Sequence, residues 1–191
     1  MAENKVQFGV SKLHIGTYEV SDLGVVTLGT PYHLPGTVNI TLDAESEENA
    51  FWADNVKYWT GYSDNGYSGE IENALFTDEF KTKFMNYITL DDGGLAQIKG
   101  KQNKTVYIMF QSEGDKEARR GILYNVTLGQ ISREYATTEG SVEPQTATLP
   151  ITVNGDNGTG IIRVGYKPAN AAYDTLFTNP PVPVLPDDSE S

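Results

Sequence analysis

The sequence predicts a mainly β protein, an antiparallel β-sandwich or partly closed β-barrel with one flanking α-helix. Three observations predict it. Short runs of alternating apolar and polar residues recur along the chain, each bounded by Gly, Pro, Asn, Asp or Ser. Residues that suit a pleated surface are plentiful, among them 11 Tyr and 7 Phe. Only residues 77–87 carry a helical period. At 191 residues the chain is long enough for one domain with a real core.

In order, residues 6–10 and 12–17 predict an N-terminal strand or arm, and residues 20–28 a loosely apolar stretch broken by Gly24. Pro31-Tyr-His-Leu-Pro-Gly36 is a turn cluster. Val38, Ile40 and Leu42 then alternate with Thr37, Asn39 and Thr41, the pattern of a half-buried strand. Asp43-Ala-Glu-Ser-Glu-Glu-Asn49 is expected to be an acidic loop. Phe51 and Trp52 open a stretch ending at Thr60, another expected strand. Residues 62–69 are rich in Gly, Asn, Asp and Ser and predict a turn, followed by a strand over 70–76. Thr77 is a plausible N-cap, with Asp78 and Glu79 in the first turn and Phe80, Phe84, Tyr87 and Ile88 on one stripe. This helix should cover a sheet edge or face.

Residues 89–104 predict a polar loop, and residues 104–110 a central strand, because the run is almost continuously apolar and β-forming. A turn is expected at 113–121, then a strand with Ile122, Tyr124, Val126 and Leu128 on one side. Ala147, Leu149, Ile151 and Val153 mark the next strand. Asn154-Gly-Asp-Asn-Gly-Thr-Gly160 is expected to be a hairpin loop, with residues 161–166 returning. The chain is expected to divide into one β domain over 1–178, including its N-terminal arm, and a Pro-rich acidic tail over 179–191, extended or disordered.

The formal net charge is −12, from 26 Asp and Glu against 14 Lys and Arg. Gripping nucleic acid needs the opposite sign, so tight binding of DNA or RNA is not expected. Absence of cysteine excludes disulfides, thiolate metal sites and cysteine catalysis. The polar opening, Met1 to Lys5, predicts no secretory leader, and no apolar run is long enough for a membrane helix. His14 and His33 lack a metal-ligand spacing. Asp91-Asp-Gly93 and Asp156-Asn-Gly158 lack the closing Glu of a calcium loop and read as turns. Glu45, Glu47 and Glu48 form a solvated charge run before they form a glycosidase pair. There is no phosphate loop, dinucleotide fingerprint or nucleophile elbow. Neither an enzyme nor a cofactor is expected. Charge is also unevenly laid out. Residues 43–92 hold twelve acidic and three basic residues, whereas 99–133 hold three acidic and seven basic. Unlike patches on one subunit suit head-to-tail assembly.

Six segments, in order, carry a resemblance: Met1-Ala-Glu-Asn-Lys-Val-Gln-Phe-Gly9, residues 34–45 with their Pro-Gly turn, Phe51-Trp-Ala-Asp-Asn-Val-Lys-Tyr58, Asn65-Gly-Tyr-Ser-Gly-Glu-Ile-Glu72, Leu123-Tyr-Asn-Val-Thr127 and Glu143-Pro-Gln-Thr-Ala-Thr-Leu149. Over roughly residues 1–165 the chain resembles the major tail proteins of long, non-contractile-tailed phages of Gram-positive hosts. The resemblance implies a tail-tube fold, similar to the tubes of contractile tails and type VI secretion. It implies rings, typically hexameric, that stack into a tube conducting DNA. The implied partners are further copies of the chain, a tape-measure protein, tail terminator and tail-tip proteins, and translocating DNA that is not tightly bound, with no membrane. The implied location is the virion tail, assembled in the host cytoplasm. Glu70 and Glu72, alternating with Ile71, are the lumen-facing candidates. Glu45, Glu47, Glu48, Lys99, Lys101 and Lys104 are the ring-stacking candidates. Trp52, Trp59 and Tyr62 are candidates for a subunit interface. Two other functions compete: another phage structural role, such as capsid decoration or tail terminator, and a carbohydrate-binding β-sandwich using Trp52, Trp59 and Tyr62 as a stacking platform.

Overall fold

The computed structural model describes residues 9–113, 118–135 and 145–186. The expected N-terminal strand residues 6–8, most of the first segment of the family resemblance, residues 114–117 of the expected turn, Glu143 and Pro144 of the last segment, and the last five residues of the tail lie outside them. The elements are β1 (Val10–Val20), β2 (Val26–Leu28), β3 (Tyr32–His33), β4 (Thr37–Ala53), β5 (Val56–Asn73), α1 (Asp78–Phe84), β6 (Ile88–Thr89), β7 (Leu95–Ala96), β8 (Thr105–Ser112), β9 (Arg120–Leu128), β10 (Ser132–Arg133), β11 (Ala147–Val153) and β12 (Arg163–Tyr166). The fold is mainly antiparallel β with a single helix among the described residues. Ten strands form one sheet along the path β2-β1-β8-β9-β11-β5-β4, with β3, β10 and β12 attached to β1, β11 and β9. The sheet curls until β4 returns to within 8 Å of β1. No ladder joins the two among the described residues, so the barrel stays open.

The inside of the curl is the main core. Ile15, Ile71, Val106, Ile108, Leu149 and Val153 are fully buried there. Helix α1 plugs it. The Thr77 hydroxyl accepts the Phe80 amide at 3.1 Å, the N-cap bond that starts the helix. Phe80 and Phe84, four apart, point inward with ring centroids 5.4 Å apart. The helix stops at Met85, after which Asn86 takes a φ of 55°.

The outer face of β1, β8 and β9 is buried as well. Tyr18, Tyr107, Met109, Ile122 and Tyr124 lie beneath residues 167–183, whose Leu176 is fully buried. Arg120 is stacked against Tyr173 at 3.9 Å and Phe177 at 4.8 Å, and Tyr124 donates to the Pro181 carbonyl at 2.8 Å. Burial on both faces is why residues 104–110 read as unbroken apolar sequence.

Four expectations are corrected. Residues 43–49 are not a loop but part of β4, and residues 62–69 are not a turn but part of β5. Their composition misleads because, up to Tyr67, this part of the hairpin has two wet faces and no apolar alternation marks it. Ile122, Tyr124, Val126 and Leu128 do not share one side. Asn125, at φ 52°, breaks the alternation, sending Ile122 and Tyr124 to the outer core and Val126 and Leu128 to the inner one. Finally, β12 does not return along β11. It pairs with β9, Arg163 opposite Leu123, and lies in line with β11 along the same edge. The expected polar loop at 89–104 also contains the small β6–β7 hairpin.

The 154–162 excursion between β11 and β12 is pinned by one buried carboxylate. Asp156 accepts from Tyr18 Oη, Thr159 N and Thr159 Oγ1, each at 2.7 Å, and from Gly158 N at 3.1 Å. Burial by itself would raise its pKa. The hydrogen bonds, led by those from Thr159, outweigh burial and hold the carboxyl below its ordinary range.

Candidate assembly interface

β5 has a strand on both sides only between Tyr67 and Asn73, where β11 accompanies it. Beyond Tyr67, β4 and β5 continue alone as a two-stranded arm to the pair Ala53–Val56. Residues 44–53 give it a reach of roughly 30 Å at ~3.3 Å per residue. Gly66 sits where the arm leaves the sheet, at φ 84°, and a Cβ there would run into the Val153 carbonyl oxygen. At the far end Asp54 and Asn55 take φ values of 50° and 60°. Two positive φ values close a two-residue hairpin of the primed type, which Asp and Asn tolerate.

The arm is uncovered on both faces. Phe51 and Trp59 pair across one face and are 60% and 57% exposed. Trp52 and Tyr62, 63% and 73% exposed, lie on the opposite face, together with the ion pair of Lys57 and Glu48. Tyr58 is the extra residue of a bulge near the tip. The Trp59 indole folds back over Gly61. The three expected interface aromatics are thus on one arm but do not form one platform, because Trp59 faces away from Trp52 and Tyr62. A two-stranded ribbon is marginal in water, and one carrying this much bare aromatic surface calls for a partner. The outer edge of β4 is also unpaired among the described residues.

The charged candidates sort to opposite ends of the sheet. Asp43, Ser68, Thr152, Thr127 and Thr105 form one row across β4, β5, β11, β9 and β8. From this row β4 runs one way into the arm with Glu45, Glu47 and Glu48, all exposed. In the other direction lie the start of β8 and the exposed Lys99, Lys101 and Lys104. Asn103 anchors that basic segment by donating to the carbonyls of Leu128 at 3.0 Å and Gly129 at 2.7 Å. Glu70 and Glu72 point away from the fully buried Ile71, onto an outer face shared with Thr41 and Thr148. Glu70 is exposed, whereas Glu72 is half-buried and accepts from Thr146 Oγ1 at 2.6 Å.

Sequence reasoning missed the arm itself. Its one local signal is Asp54-Asn55, two residues tolerant of positive φ between two aromatic stretches. His14 and His33 are a cross-strand pair with tilted rings, centroids 4.9 Å apart, and Phe177 stacks on His14 at 4.6 Å. Among the described residues no group of three or more His, Cys, Asp or Glu is placed to hold a metal, and no helix is long and apolar enough to cross a membrane.

No protein-family model matches the chain, and no curated protein matches it. Three solved structures are similar to it. A chain of the anti-feeding prophage cap (AFP tube terminating cap) has 10% identity and a TM-score of 0.49, over 87% of this chain and 96% of that one. A chain of the PVC sheath-tube complex, an extracellular contractile injection system in its extended state, has 7% identity and a TM-score of 0.45, over 82% and 88%. A chain of the anti-feeding prophage baseplate has 11% identity and a TM-score of 0.42, over 80% and 93%.

Proposed function

We propose that this chain is a non-enzymatic structural subunit of a phage-type tail tube, in which copies form rings, hexameric in the simplest case, that stack into a conduit for DNA. The observation that carries this reading is the β4–β5 arm, which has bare aromatics on both faces and acidic flanks, at the end of the sheet opposite the basic segment. A subunit of this shape completes itself only against other copies. The six ordered sequence segments that resemble long-tailed phage major tail proteins support the same reading. Glu70 and Glu72 are then proposed to face the lumen, where carboxylates repel phosphate and let DNA slide. Glu45, Glu47 and Glu48 are proposed to meet Lys99, Lys101 and Lys104 of the next ring. The tape-measure, terminator and tip proteins are the further proposed partners, and residues 179–191 are proposed as a C-terminal extension whose first residues stay packed on the tube domain, where Pro181 accepts from Tyr124.

The test is negative-stain electron microscopy of concentrated, aged protein. Stacked rings around a channel wide enough for duplex DNA are the expected result. Particles that stay monomeric, even with the tape-measure and tip proteins present, would remove the reading.

A further inference from the structure

A cleft of about 360 Å³ opens at the end of the sheet away from the arm, between α1, β10 and the start of β11. Leu75, Phe76 and Ile131 give it apolar lining, and Lys81, Gln97 and Arg133 line it as well, Arg133 lying over the Tyr135 ring at 5.4 Å. It lies near the lower end of the size range of small-molecule pockets, roughly 300–1,000 Å³. It suits one or two side chains better than a length of chain. Leu75 is 52% exposed although it borders the fully buried part of the core. Among the described residues no carboxylate lines the cleft, although Lys81 also bonds Asp78 at 2.9 Å.

The arm has the complementary character. Residues 43–64 hold six carboxylates and one lysine. The Trp59 ring is occupied with Gly61, whereas Trp52, Phe51 and Tyr58 stand bare beside the turn, Trp52 being the largest of them and on the face of Lys57 and Glu48. We infer that the arm tip of one copy seats in this cleft of a second copy, with Trp52 entering between Leu75 and Ile131 and Asp54 facing Arg133. The inference rests on the tube reading and names the surface that receives the arm. Strand register puts donor and acceptor at opposite ends of each subunit, so the contact propagates head to tail instead of closing a two-fold dimer.

The chain has no cysteine, so paired cysteines report the contact cleanly. A Val56→Cys variant and a Gln97→Cys variant, carrying tags of different size, are mixed at high concentration and mildly oxidised. Heterodimer disulfides well in excess of both homodimers are expected, as is a loss of about tenfold when Trp52→Ala is added to the Val56→Cys chain. Arg133→Glu in the Gln97→Cys chain should lower the yield in the same way. Heterodimer no more abundant than homodimer, or a yield indifferent to Trp52→Ala, overturns the contact. Microscopy of the same samples separates the two ideas. Tubes without the specific link overturn this contact and leave the tube standing. A specific link between copies that never grow into tubes keeps the contact and removes the tube.

Discussion

Asp156 is the side chain that pins the 154–162 excursion to β1. It is 4% exposed, ties Tyr18 of β1 to the 154–162 excursion, and so aligns β11 and β12 on one edge of β9. Asp156→Asn replaces an acceptor of four hydrogen bonds by a group that is half donor, and should cost about 2 kcal/mol at neutral pH. The folded-state pKa lies below the ordinary 3.8. The stabilisation is therefore present above that pH and lost as pH falls through the folded value. Urea unfolding of both proteins across pH should show the gap narrowing only in acid, and a gap constant with pH would refute the role. The sequence offered Asp156-Asn-Gly158 as a turn, which is correct locally. Its bond to Tyr18, 138 residues away, is not written in any local pattern.

The arm is the element that distinguishes this fold from a self-sufficient β domain. None of its residues between 46 and 63 enters either core. Replacing residues 45–66 by an Asn-Gly turn that joins Ala44 to Tyr67 should leave the unfolding free energy within about 0.5 kcal/mol, since surface changes away from packed features have little effect. The same deletion should abolish tube formation. Thermal denaturation reads the first outcome and microscopy the second. A shortened chain that still forms tubes would remove the arm from assembly. The helix, by contrast, was legible from sequence in its cap and first turns: Thr77, Phe80 and Phe84 stand where cap and stripe predict, but it ends at Phe84, so Tyr87 and Ile88 fall outside the expected stripe, Ile88 in β6. Helix periodicity survives because one face is buried. The arm has no buried face to leave a period.

Across the whole molecule, charge is the organising asymmetry. If acidic arms meet basic segments between rings, stacking should weaken as salt shortens the screening length from ~10 Å at 0.1 M toward ~3 Å at 1 M. Reversing Glu47 and Glu48 to Lys should break tubes into shorter pieces at low salt, and reversing Lys101 to Glu in the same chain should restore length. Sedimentation across a salt series reads both, and tubes indifferent to salt and to reversal would end the stacking proposal. Glu70→Lys with Glu72→Lys should leave tubes intact, because both side chains sit outside the core, yet slow DNA ejection. Unchanged ejection kinetics would clear those residues of a lumen role.

The fold class, the described helix with its cap, the central strand and the acid–base imbalance along the chain were all readable from local stretches of sequence. These are properties of local composition and period, which neighbours in sequence suffice to set. Strand pairing in three dimensions makes the acidic and Gly-rich segments two strands of one arm, joins β12 to β9, and puts the aromatic tip and the Leu75–Arg133 cleft at opposite ends. Each of these depends on which strands pair. Pairing is fixed by burial summed over the whole sheet, a quantity that no single stretch of sequence contains.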